Sequence, residues 1–420
     1  MRQPAVDAVD PDPLMDEPVR FRVEGLAPGR VVSVLARWVV GDALVSSCAD
    51  FRADDDGVVE PGAQPSLAGS YRGEDPFGLW WSAATASGDP PRRRSLEPLW
   101  VSVAVVAGGE RLAGAVLRRR WVGSGVQVTP IGEDGLVATS FRPAGTGPFP
   151  AAVVLGGSLG GLGGAETKAA LLASRGIAAL AVAYFAAPGR PPDLAEIPVE
   201  YVGACLTWLR ARSHVDAGRL AVLGSSRGAE LALLVAAAYP QVRRVVAAAP
   251  SSVVWGAVGR GAAPGTAAWT VDGRPLPTMR HWRSDLADAA YAGDPVRLAP
   301  LFDDALDGQS SAGTAEIPVE RARGPVLLIS GGDDAMWPAR RMAEAVERRA
   351  AACGGPSVRH LHHPQAGHLC AGPPGTAIPT VICHPLDGRR YLMGGTPEAN
   401  AAAAASSWQQ TLEFLLCEVA

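Results

Sequence analysis

The stretch Arg219-Leu220-Ala221-Val222-Leu223-Gly224-Ser225-Ser226-Arg227-Gly228-Ala229-Glu230 decides how this chain is read. An apolar run leads into Gly-x-Ser-x-Gly, and an alanine- and leucine-rich segment, residues 229–238, leads out of it. A serine flanked this way marks a sharp strand-to-helix turn, since small residues two before and two after it avoid clashes inside the turn. Such a turn lifts the Ser226 hydroxyl to the edge of a sheet, next to a helix N-terminus. Ser225 is the rival nucleophile, but it lacks the flanking glycines. A chain with 49 glycines meets this pattern by chance, so the strand before it and the helix after it carry the reading.

Outward from the turn the same alternation continues. Downstream come a strand at 245–249, a strand at 326–330, a helix at Ala339–Ala352, a strand at 358–362 and a last helix near 401–416. Upstream lie a hairpin (126–130 and 136–142), the apolar run 151–155, a helix at 165–175, a strand at 177–184 and a helix at 199–212. Continuous apolar strands alternating with helices predict an α/β class fold, a doubly wound and mostly parallel sheet covered on both faces. Residues 255–317, rich in Pro, Trp and charge, interrupt the series and are expected to form a cap inserted over the carboxyl edge of the sheet.

Before residue 125 the pattern differs. Val19-Arg20-Phe21-Arg22-Val23 alternates, and Val31–Val40, 99–105 and 111–122 are further β-type runs between Gly/Pro turns. Short strands at this spacing predict a β-sandwich of immunoglobulin-like type with no helix longer than two turns. The division is therefore a sandwich domain at 1–125 and a catalytic domain at 126–420.

Charge and cysteine usage narrow the function classes. The net charge of −4 argues against a nucleic-acid binder and against an acidic disordered tail. The longest apolar run, 176–187, is too short for a membrane span, and the first residues lack the hydrophobic stretch of a secretory signal. Six scattered cysteines without a C-x-x-C pair fit reduced thiols, with neither a disulfide frame nor a metal site expected. A cytoplasmic enzyme is the resulting expectation. Lys168 is the only lysine, so an anionic ligand must be met by arginine or backbone N–H groups.

A serine at its free pKa is a poor nucleophile and needs a base, which in turn needs an orienting acid. In this architecture acid and base follow later strands, in the order Ser, acid, His. His368, in the loop Pro364-Gln365-Ala366-Gly367-His368, is the expected base, while His360, His362 and His363 read as strand residues. The acid lies in Gly331-Gly332-Asp333-Asp334-Ala335-Met336-Trp337-Pro338. Spacing from the glycine and to Pro338 favours Asp334, leaving Asp333 to cap the next helix; the choice stays open between the two. The oxyanion hole is expected from the backbone N–H of Arg227 and from the loop Gly156-Gly157-Ser158-Leu159-Gly160-Gly161, through Gly157 or Ser158.

These residues, with others, resemble a known family. Asp16-Glu17-Pro18-Val19-Arg20, Gly25-Leu26-Ala27-Pro28 and Asp75-Pro76-Phe77-Gly78-Leu79-Trp80 are similar to segments of the acyl-CoA thioesterase / bile acid-CoA:amino acid N-acyltransferase family. So are the helix-strand step from Lys168 to Gly176 with Ala181-Val182-Ala183-Tyr184, the segments Ile317-Pro318-Val319-Glu320 and Gly324-Pro325-Val326, and Gly394-Gly395-Thr396-Pro397-Glu398. The resemblance implies a β-sandwich joined to an α/β-hydrolase domain and a triad of Ser226, Asp334 and His368. It implies attack on an acyl thioester of CoA, or of an acyl carrier protein, with no cofactor beyond the substrate. A serine nucleophile leans toward water as acceptor, against acyl transfer to an amine or alcohol; plain ester or lactone hydrolysis is the other alternative. Arg227, Arg260, Arg280 and Arg283 are candidate contacts to the anionic substrate. Cys370, just past His368, and most of the cap depart from the family pattern.

Overall fold

The computed structural model describes residues 3–10, 12–86, 95–279, 294–308 and 312–417. These divide into two compact units, one of residues up to 123 with 373–379 and 397–402, the other of 124–372, 380–396 and 403 onward.

In the first unit an antiparallel sheet runs in the order Ala68–Gly69, Ala43–Arg52, Val31–Val40, Leu99–Ala107, Glu110–Arg119. A two-stranded ribbon, Ala5–Ala8 with Phe21–Glu24, completes the β-sandwich. Alternate residues form its core, among them Val32, Val34, Ala36, Val101, Val103 and Val105. The sequence reading misses Ala43–Arg52, which pairs along its whole length with Val31–Val40. Its inward positions are Val45, Ser47, Ala49 and Phe51, so a buried serine weakens the apolar alternation that would reveal it. That serine is satisfied, donating to the Leu79 carbonyl at 2.6 Å. Arg119 is buried in the same unit, donates to the carbonyls of Met15 (2.7 Å) and Gly375 (2.5 Å), and lies over the Trp80 ring.

The second unit is built on eight strands: β1 Gln127–Ile131, β2 Ala138–Arg142, β3 Phe149–Leu155, β4 Ala178–Val182, β5 Val215–Ser225, β6 Arg244–Ala248, β7 Val326–Gly331 and β8 Val358–His363. Their order across the sheet is β1-β2-β4-β3-β5-β6-β7-β8. β2 is antiparallel to both its neighbours, β1 and β4, and every other pair is parallel, the arrangement of an α/β-hydrolase sheet. β4, β6 and β7 are buried at every residue, as strands covered on both faces must be. Helices α2 (Val199–Arg210), α3 (Arg227–Ala238) and α4 (Ala339–Ala352) share one core with Val153, Val222, Val245 and Leu328. The alternate strand residues Val154, Leu223, Val246 and Ile329 face α1 (Gly163–Ser174) and the later part of α5 (Pro397–Leu416).

The expected cap stretch holds the short strands Trp269–Val271 and Arg274–Pro275 and a helix, Ala299–Gly308. Its Trp255 and Phe302 pack edge to face with ring centroids 4.8 Å apart. Among the described residues no helix is long and apolar enough to cross a membrane.

Candidate active site

β5 and α3 meet at Ser226, which has φ 57° and ψ −124°. Few non-glycine residues occupy that region, and holding one there costs on the order of 1–3 kcal/mol. The turn is enforced by its surroundings. The Ser226 N–H donates to the Ala248 carbonyl of β6 at 2.8 Å. A Cβ at Gly224 would collide with the Gly228 carbonyl, and one at Gly228 with the Gly156 carbonyl. Both glycines of the motif are therefore demanded by close backbone approach. Their contacts also bring the turn against the loop after β3, where a Cβ at Gly157 would stand 3.2 Å from the Ser226 Cβ and 3.8 Å from its Oγ.

Asp334 follows β7 and His368 follows β8, so both project from the carboxyl edge of the sheet where β5 delivers Ser226. His368 Nδ1 lies 2.9 Å from Asp334 Oδ2, and the two side chains are 5% and 2% exposed. The other carboxylate oxygen, Oδ1, accepts the N–H groups of Met336 (2.8 Å) and Trp337 (3.1 Å). His368 is anchored by its own N–H to the Met393 carbonyl at 2.7 Å, and the Trp337 ring stands edge-on to the imidazole at 5.8 Å. With Nδ1 donating to the carboxylate, Nε2 is the nitrogen left to accept a proton.

Asp333 points elsewhere. It accepts Arg297 at 2.7 Å and the Gly395 N–H at 2.9 Å, and this half-exposed ion pair holds its carboxyl below the usual range. It does not cap α4, whose first turn follows Pro338 with no side-chain cap.

Of the expected oxyanion donors, Gly157 lies against the serine, and Arg227 is the first residue of α3, where helix geometry leaves main-chain N–H groups without intrahelical partners. The Ser158 hydroxyl lies 3.1 Å from Nε2 of the buried His384. The Arg227 side chain does not serve as a solvent-facing contact for an anion. It is buried, pairs with Glu230 at 2.9 Å and donates to the carbonyls of Trp255 (3.0 Å) and Gly256 (3.1 Å). Arg260 is exposed and lies close to Gly388. Arg280 and Arg283 lie outside the described residues.

Four residues with no assigned role in the sequence reading stand around this site. Lys168 donates to the hydroxyl of Ser225 at 2.7 Å, so the neighbour of the nucleophile has a partner of its own. Tyr184 donates to the Gly156 carbonyl at 2.7 Å. Glu230, wholly buried, accepts the indole N–H of Trp269 at 2.6 Å and the backbone N–H of Trp255 at 3.1 Å. Burial pushes its carboxyl up to about 7, against the opposing pull of Arg227 and those two donors. His384 is the fourth. Only Lys168 carried a signal, as the one lysine of the chain.

Residues 197–419 match the family described as BAAT / Acyl-CoA thioester hydrolase C terminal, and residues 16–133 match the Acyl-CoA thioester hydrolase/BAAT N-terminal region. The chain is similar, at 31% identity, to acyl-coenzyme A thioesterase 1 of Mus musculus over 95% of its own length and 93% of that protein. It is also 31% identical to the mitochondrial acyl-coenzyme A thioesterase 2 of Mus musculus, covering 95% of this chain and 86% of the relative. With the peroxisomal succinyl-coenzyme A thioesterase of the same organism the identity is 30%, over 95% and 93%.

Proposed function

The chain belongs to the BAAT / acyl-CoA thioester hydrolase family, and we propose that it hydrolyses acyl-CoA thioesters through an acyl-enzyme on Ser226. The observation that carries the reading is the buried Asp334–His368 hydrogen bond at the sheet edge that also presents a strained serine. Ser226 Oγ attacks the thioester carbonyl as its proton passes to His368 Nε2. The negative charge on the carbonyl oxygen is met by the N–H groups of Gly157 and Arg227. Collapse breaks the C–S bond, and His368 returns the proton to the leaving thiolate. Water then gives a proton to His368 and attacks the acyl-serine; the acid leaves and Ser226 recovers its proton.

Asp334 holds the imidazole in the tautomer this sequence needs. The names of the relatives favour coenzyme A as the carrier over an acyl carrier protein. Free cysteines throughout support a reducing compartment, which we take to be the cytoplasm. The β-sandwich up to about residue 125 is read as a domain distinct from the catalytic one, in keeping with the two compact units.

The test is thiol release from a panel of acyl-CoAs of increasing chain length by wild type and Ser226→Ala. Turnover is expected with at least one member, falling about 10³-fold or more in the variant. Absence of thiol release throughout the panel, or wild-type turnover in Ser226→Ala, contradicts the reading. Adding glycine or another amine separates the acceptors: acid remains the product if water is used, and an amide appears if the enzyme is an acyltransferase. The oxygen ester of the same acyl group tests the esterase alternative by comparison of kcat/KM.

A further inference from the structure

We propose that Tyr184 is a positioning residue for the oxyanion hole, its hydroxyl holding the Gly156–Gly157 peptide so that the Gly157 N–H is presented beside Ser226; this rests on the serine-hydrolase reading above. The sheet register brings the tyrosine, the loop and the nucleophile together. Leu155 of β3 pairs with Val182 of β4 on one side and with Gly224 of β5 on the other. Two residues beyond each come Tyr184, Gly157 and Ser226, so the loop after β3 emerges between the tyrosine and the nucleophile. The contacts agree: the Tyr184 hydroxyl donates to Gly156 O at 2.7 Å, and the Gly157 backbone runs against Ser226. The phenol's single proton belongs to this bond; the Gly157 carbonyl at 3.4 Å is the longer approach.

The amide plane couples the two ends of this peptide. Gly156 C=O and Gly157 N–H are opposite ends of one peptide unit, so pinning the oxygen sets the direction of the hydrogen. The oxygen is held from two sides, by the phenol and by the close backbone of Gly228, where only a glycine fits. The loop contains Gly156, Gly157, Gly160 and Gly161, whose backbones are intrinsically free to turn, so a bond made directly to the Gly156 oxygen fixes what the residue types leave open. A hydrogen bond accepted at the carbonyl also polarises the amide and strengthens its N–H as a donor, by roughly 10–30%.

Tyr184 is itself held in place and shares its support with the other donor. The residue is 2% exposed, and its ring packs on Phe185 (5.1 Å) and Trp269 (5.8 Å). Trp269 donates to Glu230, and Glu230 pairs with Arg227, whose main-chain N–H is the second oxyanion donor. Burial raises the phenol far above its ordinary range, so the hydroxyl keeps its proton at every working pH.

Tyr184→Phe keeps the ring and removes only the hydroxyl. An oxyanion donor acts in the transition state, so kcat is expected to fall about 10-fold while KM changes by less than about 2-fold. A trifluoromethyl ketone thioether of CoA, which forms a tetrahedral adduct with the serine, should lose affinity in the same proportion. An inert S-alkyl-CoA should bind as before. Unchanged kcat and ketone affinity overturn the proposal, as does an equal loss of affinity for both ligands, which marks a general structural defect. If acyl-CoA is not the substrate, the same comparison is read from Ser226 phosphonylation by a fluorophosphonate, which needs no assumption about substrate. Slower phosphonylation in Tyr184→Phe then upholds the positioning role while the thioesterase reading fails, and equal rates overturn the role.

Discussion

Asp333 and Asp334 are neighbours with opposite surroundings, and the difference sets their expected roles. Asp334 is buried, accepts the Trp337 N–H and is bonded to His368, whereas Asp333 meets Arg297 in a half-exposed ion pair. Asp334→Asn is expected to lower kcat about 10³- to 10⁴-fold through loss of the required imidazole tautomer. Asp333→Asn is expected to stay within about 3-fold of wild type, because exposed ion pairs contribute little. Steady-state kinetics of both variants on one acyl-CoA checks the pair, and a larger loss in Asp333→Asn would reverse the assignment. Gly-x-Ser-x-Gly made Ser226 legible, and a loop position past a strand did so for His368. Between the two aspartates the sequence supplied no more than a lean to Asp334, since adjacent loop residues point in different directions and only the folded loop decides which is buried. The place of Tyr184 beside the candidate site was illegible for a related reason. Its place depends on the pairing of β3 with two partners far apart in the chain.

At the scale of elements, the parallel strands were the most legible part. Strands buried on both faces leave nearly unbroken apolar runs, and β4, β6 and β7 are such runs. The half-exposed strand Ala43–Arg52 left a weaker trace because its buried face includes Ser47. The elbow between β5 and α3 depends on a methylene-sized space. Gly224→Ala should destabilise the fold by roughly 2 kcal/mol or more, seen as a lower urea midpoint, because the new methyl meets backbone that cannot yield. An unchanged midpoint would mean the elbow is looser than described. The first turn of α3 carries a pH dependence of its own. Burial raises the Glu230 carboxyl from its ordinary 4.5 to about 7, so between those pH values the folded chain holds a proton that the unfolded chain has released. Its contribution to stability therefore decreases as pH rises through that window and levels off above it. Urea midpoints of wild type and Glu230→Gln from pH 4.5 to 7.5 should diverge in that direction, and parallel profiles would remove Glu230 as their source.

For the molecule as a whole, the near balance of 38 basic and 42 acidic residues bears on how an anionic thioester is captured. A net charge of −4 offers no attractive field for an anionic thioester, so its recognition is expected to rest on local donors. Raising NaCl from about 50 to about 300 mM is accordingly expected to change kcat/KM by less than about 3-fold. A fall of 10-fold or more would point instead to long-range steering. The fold class was legible at this scale, because a change from short alternating runs to long apolar ones survives in the sequence. The pieces 373–379 and 397–402, which return to the first unit, leave no comparable trace. Catalysis through an acyl-enzyme requires one covalent bond to Ser226, which is tested by rapid acid quench of wild-type protein mixed with one equivalent of acyl-CoA, followed by peptide mass mapping. The acyl mass is predicted on the peptide containing Ser226 and is predicted to vanish in Ser226→Ala; an adduct on another residue such as Cys370, or thioester turnover that survives in Ser226→Ala, would contradict an acyl-enzyme on Ser226.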